Sequence, residues 1–172
     1  MSEKQFQQPN IEINQLEERT EYYKNGELHR ENGPAVELKN GTKEWYLHGK
    51  RHRLDGSAIE REDGFKEWYI NDVRHREDGP AVEDNDGSKQ WYINGALHRE
   101  DGPAVDYTYG TKEYWIDGKR HRTDGPAIIR ENGDKFWYQN DKLHRIAGPA
   151  IELENGTKEY WIDGNYICQN SQ

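Results

Sequence analysis

The sequence predicts an all-β protein: an elongated single sheet or solenoid of stacked antiparallel β-hairpins, with six full repeats and a partial seventh. Three observations lead to this prediction. The dipeptide His-Arg recurs every 23 residues, from His29 to His144. All 17 glycines fall at only three positions of that repeat. Short β-favouring segments alternate with Asn-Gly or Asp-Gly pairs, which are typical of hairpin turns, and no segment has the period of a helix.

The composition restricts both the core and the kind of partner. Only 31% of the residues are hydrophobic and 33% are charged, which is typical of chains that do not fold. Six Trp and eleven Tyr point instead to a thin core of large rings under a polar surface. The net charge of −9 disfavours DNA or RNA as the main partner, and anionic lipid as well. A single cysteine excludes an intrachain disulfide and a cysteine-rich metal site.

The location of the protein is predicted from what the sequence lacks. The first residues, "MSEKQFQQPN", have no apolar core of the kind that a signal peptide needs. No apolar run is long enough to span a membrane. We therefore expect a cytoplasmic protein that has no membrane partner.

The repeat divides the chain into three parts. Residues 1–20 are predicted to be a flexible segment and a cap, in which the alternation at Ile11 and Ile13 indicates a strand or a short helix. Residues 21–158 are six 23-residue repeats. Residues 159–172 are a degenerate repeat that is expected to cap the array, because the open edge of a sheet invites aggregation.

Each repeat is predicted to contain one hairpin and a connecting segment. The segments "PAVEL" and "TKEWYL" are its two strands, joined by type I′ turns at Asn40-Gly41, Asp86-Gly87 and Asn155-Gly156. A second turn, such as Asn25-Gly26, ends the aromatic strand. The segment "LHRENGP" then leads to the next hairpin, and its proline marks the start of a strand because proline cannot donate to a ladder.

The repeat resembles that of the MORN family, which also has a period of 23 residues. The aromatic strand, the turn glycine and the Gly-Lys-x-His element carry the resemblance, best seen in "WYLHGKRH" (45–52) and "YWIDGKRH" (114–121). It extends over residues 21–164. The usual MORN glycine after the histidine is replaced here by arginine and then x-Asp-Gly-Pro-Ala. The resemblance implies stacked hairpins and a scaffolding or target-binding role, and this variant form is associated with phage and other viral or bacterial proteins.

Alternation along the aromatic strand places its side chains on two faces. Trp45 and Leu47 share the face predicted to be the core, together with Val36 from the partner strand. The opposite face carries a second row of rings, which either pack under the His-Arg segments or form a partner-binding surface. The rings of this second row that we predict to bind a partner are Tyr46, Tyr69, Tyr92, Trp115 and Tyr138. Tyr107 and Tyr109 are further candidates, near a hairpin tip.

The recurring His-Arg pair has a structural and a functional interpretation. Two strands per repeat give a rise of about 9–10 Å, too far for equivalent histidines to share a zinc ion. Recurrence at one position is what a folding requirement produces. Three repeats read Arg-His-Arg and predict a basic edge that binds an anion or a nucleotide. The arginines of that edge are Arg51, Arg53, Arg74, Arg76, Arg120 and Arg122.

These observations together predict a non-enzymatic, cofactor-free repeat scaffold that binds another protein. No nucleophile–base pair, metal cluster or phosphate-binding loop stands out from the repeat. If the chain is viral, the expected use is to occlude a host or bacterial defence protein. The alternative is an anion or nucleotide binder that uses the Arg-His-Arg edge.

Overall fold

A computed structural model describes residues 11–170 of the chain. All regular structure in this range is strand, in antiparallel pairs that recur with the sequence repeat, so the predicted all-β fold of hairpin repeats is confirmed. Among the described residues no helix has the length and apolar character needed to cross a membrane. The chain forms two compact units, of which the first ends at Val73 and the second begins at Arg74. Most of the segment predicted to be flexible, residues 1–10, lies outside the described range.

The first unit contains a ladder of antiparallel strands in the order β1-β2-β4-β5-β8-β9. Strand β3 pairs with β2, and β6 pairs with β7 in a separate small hairpin. The strand predicted near Ile11 is confirmed, since β1 pairs with β2 from Ile11 opposite Lys24. The strands that begin in this unit are β1 Ile11–Gln15, β2 Arg19–Lys24, β3 Glu27–Leu28, β4 Val36–Leu38, β5 Lys43–Glu44, β6 Tyr46–Leu47, β7 Lys50–Arg51, β8 Ile59–Glu60, β9 Lys66–Glu67, β10 Tyr69–Ile70 and β11 Val73–Arg74.

The second unit contains a ladder in the order β12-β13-β16-β17-β20-β21-β24-β25-β26. Each full repeat in it contributes two strands to the ladder, and three small hairpins, β14-β15, β18-β19 and β22-β23, stand apart from it. The strands are β12 Val82–Glu83, β13 Lys89–Gln90, β14 Tyr92–Ile93, β15 Ala96–Leu97, β16 Val105–Asp106, β17 Lys112–Glu113, β18 Trp115–Ile116, β19 Lys119–Arg120, β20 Ile128–Ile129, β21 Lys135–Phe136, β22 Tyr138–Gln139, β23 Lys142–Leu143, β24 Ile151–Glu152, β25 Lys158–Ile162 and β26 Asn165–Asn170.

The prediction of one continuous aromatic strand is wrong for the full repeats from Trp45 onward, because the first aromatic residue divides it. In the fourth repeat the Trp91 N–H donates to the Ala104 carbonyl at 2.8 Å, while the Trp91 carbonyl accepts the His98 N–H at 3.1 Å. The chain therefore passes from the long ladder to a small hairpin at this residue. The same two bonds recur at Trp45, Tyr114 and Trp137.

The type I′ turns predicted at Asn40-Gly41 and its equivalents are also wrong. Only the glycine has a positive φ, +82° at Gly41, and its N–H donates to the Leu38 carbonyl at 3.0 Å. This is a type I turn followed by a left-handed glycine, the usual three-residue hairpin connection. The Asn40 side chain stabilises it by accepting the Thr42 N–H at 3.0 Å.

Type I′ geometry lies instead in the second turn of each repeat. Asn25 and Gly26 both have positive φ, +54° and +77°, as that turn type requires. In two repeats the glycine is replaced by an aspartate that nevertheless keeps a positive φ, namely Asp72 and Asp141. The type I′ turn of each repeat is thus the second turn, for which the sequence predicted no turn type.

The core is thin and consists mainly of small residues. One alanine in each full repeat has no exposed surface: Ala35, Ala58, Ala81, Ala104, Ala127 and Ala150. Beside them Val36, Ile59, Val82 and Val105 are buried, whereas the Trp45 row that was predicted to fill the core is only half-buried. The alanine position is tight because both its backbone groups bond to neighbouring strands, as in Ala35, whose N–H donates to the Glu44 carbonyl at 2.8 Å.

We expect Ala104→Val to lower the free energy of unfolding by about 1–3 kcal/mol, because it adds methyl groups where no space is available. Ala96→Val is the matched control, since the corresponding residue one repeat earlier is Val73, and it should change that free energy by less than about 0.5 kcal/mol. Chemical denaturation of the three proteins measures both effects. Equal stability of the two variants would contradict this account of the core.

Candidate binding surface

One arginine in each full repeat holds together the His-Arg-x-Asp-Gly segment, which we call the HR loop (residues 29–33 and their equivalents). In the fourth repeat the Arg99 guanidinium lies 4.0 Å from the centroid of the Trp91 ring. Its Nε donates to Asp101 at 2.8 Å and its Nη1 to the Pro103 carbonyl at 3.3 Å. Cation–π stacking and charged hydrogen bonds therefore fix a single side chain to one ring and to its own loop.

The same arrangement recurs along the chain. Stacking of this arginine on the first aromatic residue of its repeat is seen for Arg30 on Tyr22, Arg53 on Trp45, Arg122 on Tyr114 and Arg145 on Trp137, at 3.8 to 4.0 Å. Where the loop aspartate is replaced, by Asn32 and by Ala147, the arginine donates to Glu37 or Glu152 on the following strand. Arg53 and Arg76, whose loops keep the aspartate, donate to the equivalent Glu60 and Glu83 as well. The arginines thus bond to nearby carbonyls and to loop or strand carboxylates, as the structural interpretation requires.

The HR-loop glycine is required by the same packing. A Cβ at Gly102 would lie 2.9 Å from Cζ of Arg99, and the corresponding distances at Gly56, Gly79 and Gly125 are 2.9 to 3.0 Å. No side chain can occupy this position while the guanidinium stays on its ring. Together with the fully buried alanine, this explains why Arg, Gly and Ala recur at fixed positions in the segment His-Arg-x-Asp-Gly-Pro-Ala.

The histidine joins one repeat to the next. Nδ1 of His98 accepts the N–H of Asp117 at 3.2 Å, in the type I′ turn of the following repeat, and the same bond to Asn94 is made by His75. The Arg99 N–H donates to the Trp115 carbonyl of the following repeat at 3.0 Å. The histidine ring therefore bonds to the backbone of the next repeat and connects neighbouring modules.

The second row of rings, predicted to be a binding surface, is largely engaged within the protein. Tyr69 is buried, and Tyr46, Tyr92, Trp115 and Tyr138 are half-buried. The Tyr46 hydroxyl donates to Glu44 at 2.8 Å, and burial together with this bond raises the pKa of the phenol. Tyr69 and Tyr92 donate in the same way to Glu67 and Gln90, and the Trp115 ring N–H donates to Glu113.

The first arginine of each Arg-His-Arg repeat stacks on this second row. Arg51 lies 5.4 Å from the Tyr69 centroid, Arg74 lies 5.5 Å from Tyr92, and Arg120 lies 4.1 Å from Tyr138. Arg120 also donates from Nε to Asp141 at 2.6 Å. The structure thus brings these arginines together with the predicted aromatic residues, one repeat apart.

The two arginines of an Arg-His-Arg segment do not share a site. In the second repeat Arg51 stacks on Tyr69, whereas Arg53 stacks on Trp45 and donates to Asp55 at 2.9 Å. In the third repeat Arg74 stacks on Tyr92, while Arg76 donates to Asp78 and to Glu83. Arg122 donates to Asp124. An anion would have to compete with these internal partners, and the anion-binding alternative stays a prediction.

Tyr107 and Tyr109 stack on each other at the tip of the β16-β17 hairpin. Their centroids are 4.9 Å apart with an angle of 15° between the rings. Tyr109 is exposed, whereas Tyr107 is half-buried, and burial together with the neighbouring Tyr109 raises the pKa of its phenol. The two rings pack on each other, and their role in binding a partner stays a prediction.

Open grooves between successive HR loops are a feature that the sequence prediction missed. In the first unit a groove of about 550 Å³ is lined by two HR loops and by Trp45 and Leu47 of the strand between them. In the second unit two such grooves, of about 660 Å³ and 520 Å³, share the loop residues Arg99–Asp101. Each groove combines a half-buried ring and an aliphatic residue with charged loop residues.

The residue between Arg and Asp in the HR loop, which we call the x residue, lines these grooves at Glu31, Leu54, Glu77, Glu100 and Thr123. It is the one position of the HR loop that changes from repeat to repeat without a common chemistry: Glu31, Leu54, Glu77, Glu100, Thr123 and Ile146. Leu54 and Ile146 are 81% and 84% exposed, the largest values among the exposed large hydrophobic residues of the described chain. The sequence did contain a sign of this exposed position, because it varies inside a segment whose other residues recur.

Comparisons with known proteins assign no family. No protein-family model matches the chain, and no curated protein matches it either. The resemblance to MORN repeats therefore depends on the residues quoted above and stays a prediction. Within residues 11–170 no three His, Cys, Asp or Glu side chains lie together in a way that could hold a metal ion.

We expect Gly102→Ala to destabilise the protein by about 1–3 kcal/mol, because the new methyl group would displace the Arg99 guanidinium from the Trp91 ring. Gly102 does not adopt a left-handed φ, so the effect tests this contact and not backbone strain. A double-mutant cycle with Arg99→Ala isolates the interaction, since the alanine should cost much less once the guanidinium is gone. We call the stacking of this arginine on its ring, its hydrogen bonds and its contact with the glycine the arginine clamp. Additive effects of the two substitutions would contradict it.

The stability contributed by the HR-loop aspartates should depend on pH. A hydrogen bond from Arg99 and its charge hold the pKa of Asp101 below its usual range. A lowered pKa in the folded state stabilises the protein above the unfolded pKa, about 3.9, and this contribution is lost as the pH falls through the folded value. Asp101→Asn should therefore lower the melting temperature at pH 7 and have little effect near pH 2. Glu131→Gln, at an exposed hairpin tip, is the control and should show no such pH-dependent difference.

Proposed function

We propose that the chain is a non-enzymatic protein-binding scaffold that contacts its partner through the HR loops and the grooves between them. The observation that carries the proposal is that the HR loop contains two kinds of position, one engaged in internal contacts and one exposed to solvent. Arg, Gly and Ala are needed for folding, while the x residue is exposed and differs among repeats. A framework that holds a variable row of side chains is typical of repeat proteins that bind other macromolecules.

Apolar surface in the first groove supports a protein partner. Leu54 is 81% exposed and lines the same groove as Trp45 and Leu47. Single exposed leucines are common, but an exposed aliphatic side chain beside a ring and a second leucine forms a continuous apolar surface. Such surfaces are enriched in protein–protein interfaces. Occlusion of a host or bacterial defence protein is one form that this binding would take.

The test compares two matched double variants of the full chain, each with one substitution in each unit. Leu54→Asp with Ile146→Asp places charge on two x residues. Ile13→Asp with Ile167→Asp places the same charge on two exposed residues of strands β1 and β26, which are 56% and 58% exposed. Partners are captured from a lysate of the native host, identified by mass spectrometry, and then measured against each purified variant.

The expected result is that the HR-loop variant binds the captured partner at least about ten-fold more weakly than the parent, because charge at an apolar contact leaves it desolvated and unpaired. The strand variant should bind like the parent. Circular dichroism of each variant confirms that the fold is retained. Equal weakening of both variants, or loss in the strand variant alone, would refute an HR-loop interface.

A further inference from the structure

The two grooves of the second unit have an excess of negative charge at their rims. The larger is lined by the carboxylates of Glu77, Asp78, Glu100 and Asp101 against the guanidiniums of Arg76 and Arg99. Each arginine is bonded to the aspartate of its own loop, at 2.9 Å and 2.8 Å. The charge that is left at the rim is therefore that of the x residues Glu77 and Glu100.

These two glutamates are directed towards solvent. Their side chains are 87% and 86% exposed, and a carboxylate oxygen of each lies 3.7 Å and 4.0 Å from Nε2 of His75 and His98. A partner that brings positive charge to the rim would meet them without breaking any of the clamps that hold the loops. Charge complementarity thus selects a basic ligand for this part of the protein.

The floor of the same grooves is suited to apolar rings or aliphatic groups of a ligand. Trp91 and Ile93 line the larger groove, and Tyr114 and Ile116 line the next one. All four side chains are half-buried, so they are neither closed off in the core nor fully solvated. Aromatic-lined grooves with acidic residues beside them are a recurring mode for binding proline-rich segments.

The spacing of the grooves matches one polypeptide conformation. Each repeat of this unit adds two strands to the ladder, which places neighbouring grooves about 9.6 Å apart at about 4.8 Å per strand. A polyproline II helix has three residues per turn and rises about 3.1 Å per residue, so every third side chain lies on the same face about 9.3 Å further along. A β-strand ligand would turn alternate residues away, and an α-helix would rise only about 5.4 Å per turn.

We propose that the HR-loop face of the second unit binds a basic, proline-rich segment in the polyproline II conformation. Proline rings of the ligand contact Trp91 and Tyr114 in consecutive grooves, and arginines between them pair with Glu77 and Glu100. This inference rests on the proposed function and names the chemistry of the partner. The conformation lowers the entropic cost of binding, because the ligand is already extended before it reaches the surface.

The test uses synthetic peptides and the full chain, with binding measured by isothermal titration or fluorescence anisotropy. The first peptide is a run of Pro-Pro-Arg triplets. The second has the same composition with all its arginines moved to the two ends, and the third replaces every proline of the first by glycine. We expect the triplet peptide to bind at least about ten-fold more tightly than either control, with an affinity that falls as salt is added.

Variants of the protein locate the site. Glu77→Lys with Glu100→Lys should lower the affinity for the triplet peptide by about ten-fold or more, because two attractive contacts become repulsive. Glu131→Lys with Glu154→Lys makes the same change of net charge at hairpin tips and should leave the affinity within about two-fold, since the charges are distant from the ligand. Equal binding of the triplet and rearranged peptides would overturn the inference, as would equal effects of the two variants or no binding at all.

The failure of this inference is distinguishable from that of the proposed function. If the peptide does not bind but the Leu54→Asp and Ile146→Asp variant loses the captured partner, only the inference of a proline-rich ligand is overturned. Binding of the triplet peptide at Glu77 and Glu100 while that variant keeps its captured partner would support the ligand and refute the wider HR-loop interface.

Discussion

An arginine side chain held between an aromatic ring and a glycine is the interaction on which the repeat depends. Each face of the Arg99 guanidinium is used, one on the Trp91 ring at 4.0 Å and the other against Gly102. Among the described residues, the hydrophobic positions with no exposed surface are all alanines, so the innermost core is made of small side chains. A cation over an aromatic ring contributes about 0.5–1 kcal/mol where it is partly exposed. Repetition of such clamps explains how a chain that is 31% hydrophobic can fold.

The clamp also positions the hydrogen bonds that connect neighbouring repeats. It fixes the HR loop, and the loop then carries two bonds to the next repeat: the Arg99 N–H to the Trp115 carbonyl and the His98 ring to the turn at Asp117. Repeat proteins gain most of their cooperativity from such nearest-neighbour contacts. In two repeats an aspartate takes the left-handed turn position in place of glycine, and its carboxylate accepts a hydrogen bond from the arginine one repeat earlier, as in Asp72 with Arg51. A costly backbone conformation is thereby offset by a bond between modules.

Recurrence made the fold class, the strand content and the structural role of His-Arg predictable, because each of them follows from a residue that returns at a fixed interval. The geometry within a repeat was less predictable. The pairs Asn40-Gly41 and Asn25-Gly26 look alike in sequence, but only the second is a type I′ turn, since the ladder on each side decides which turn fits. The division of the aromatic strand at Trp91 depends on a carbonyl that bonds to its own hairpin, and alternation of side chains carries no sign of it. The x residues were missed because their identity does not recur, so the repeat pattern carries no information about their exposure.

The clamp explains why the surface charge of the loops is set by the x residue. A guanidinium that stacks on Trp91 and donates to Asp101 and to the Pro103 carbonyl has its charge matched by its own loop, so it adds little to the field outside. The carboxylate of the loop aspartate is matched in the same way. What a partner meets is then the side chain between them, acidic at Glu77 and Glu100 and apolar at Leu54. Because that side chain takes no part in the bonds of the arginine, those bonds do not constrain its identity. In the proposed binding mode, specificity is therefore determined by one side chain per repeat, at intervals fixed by the sheet.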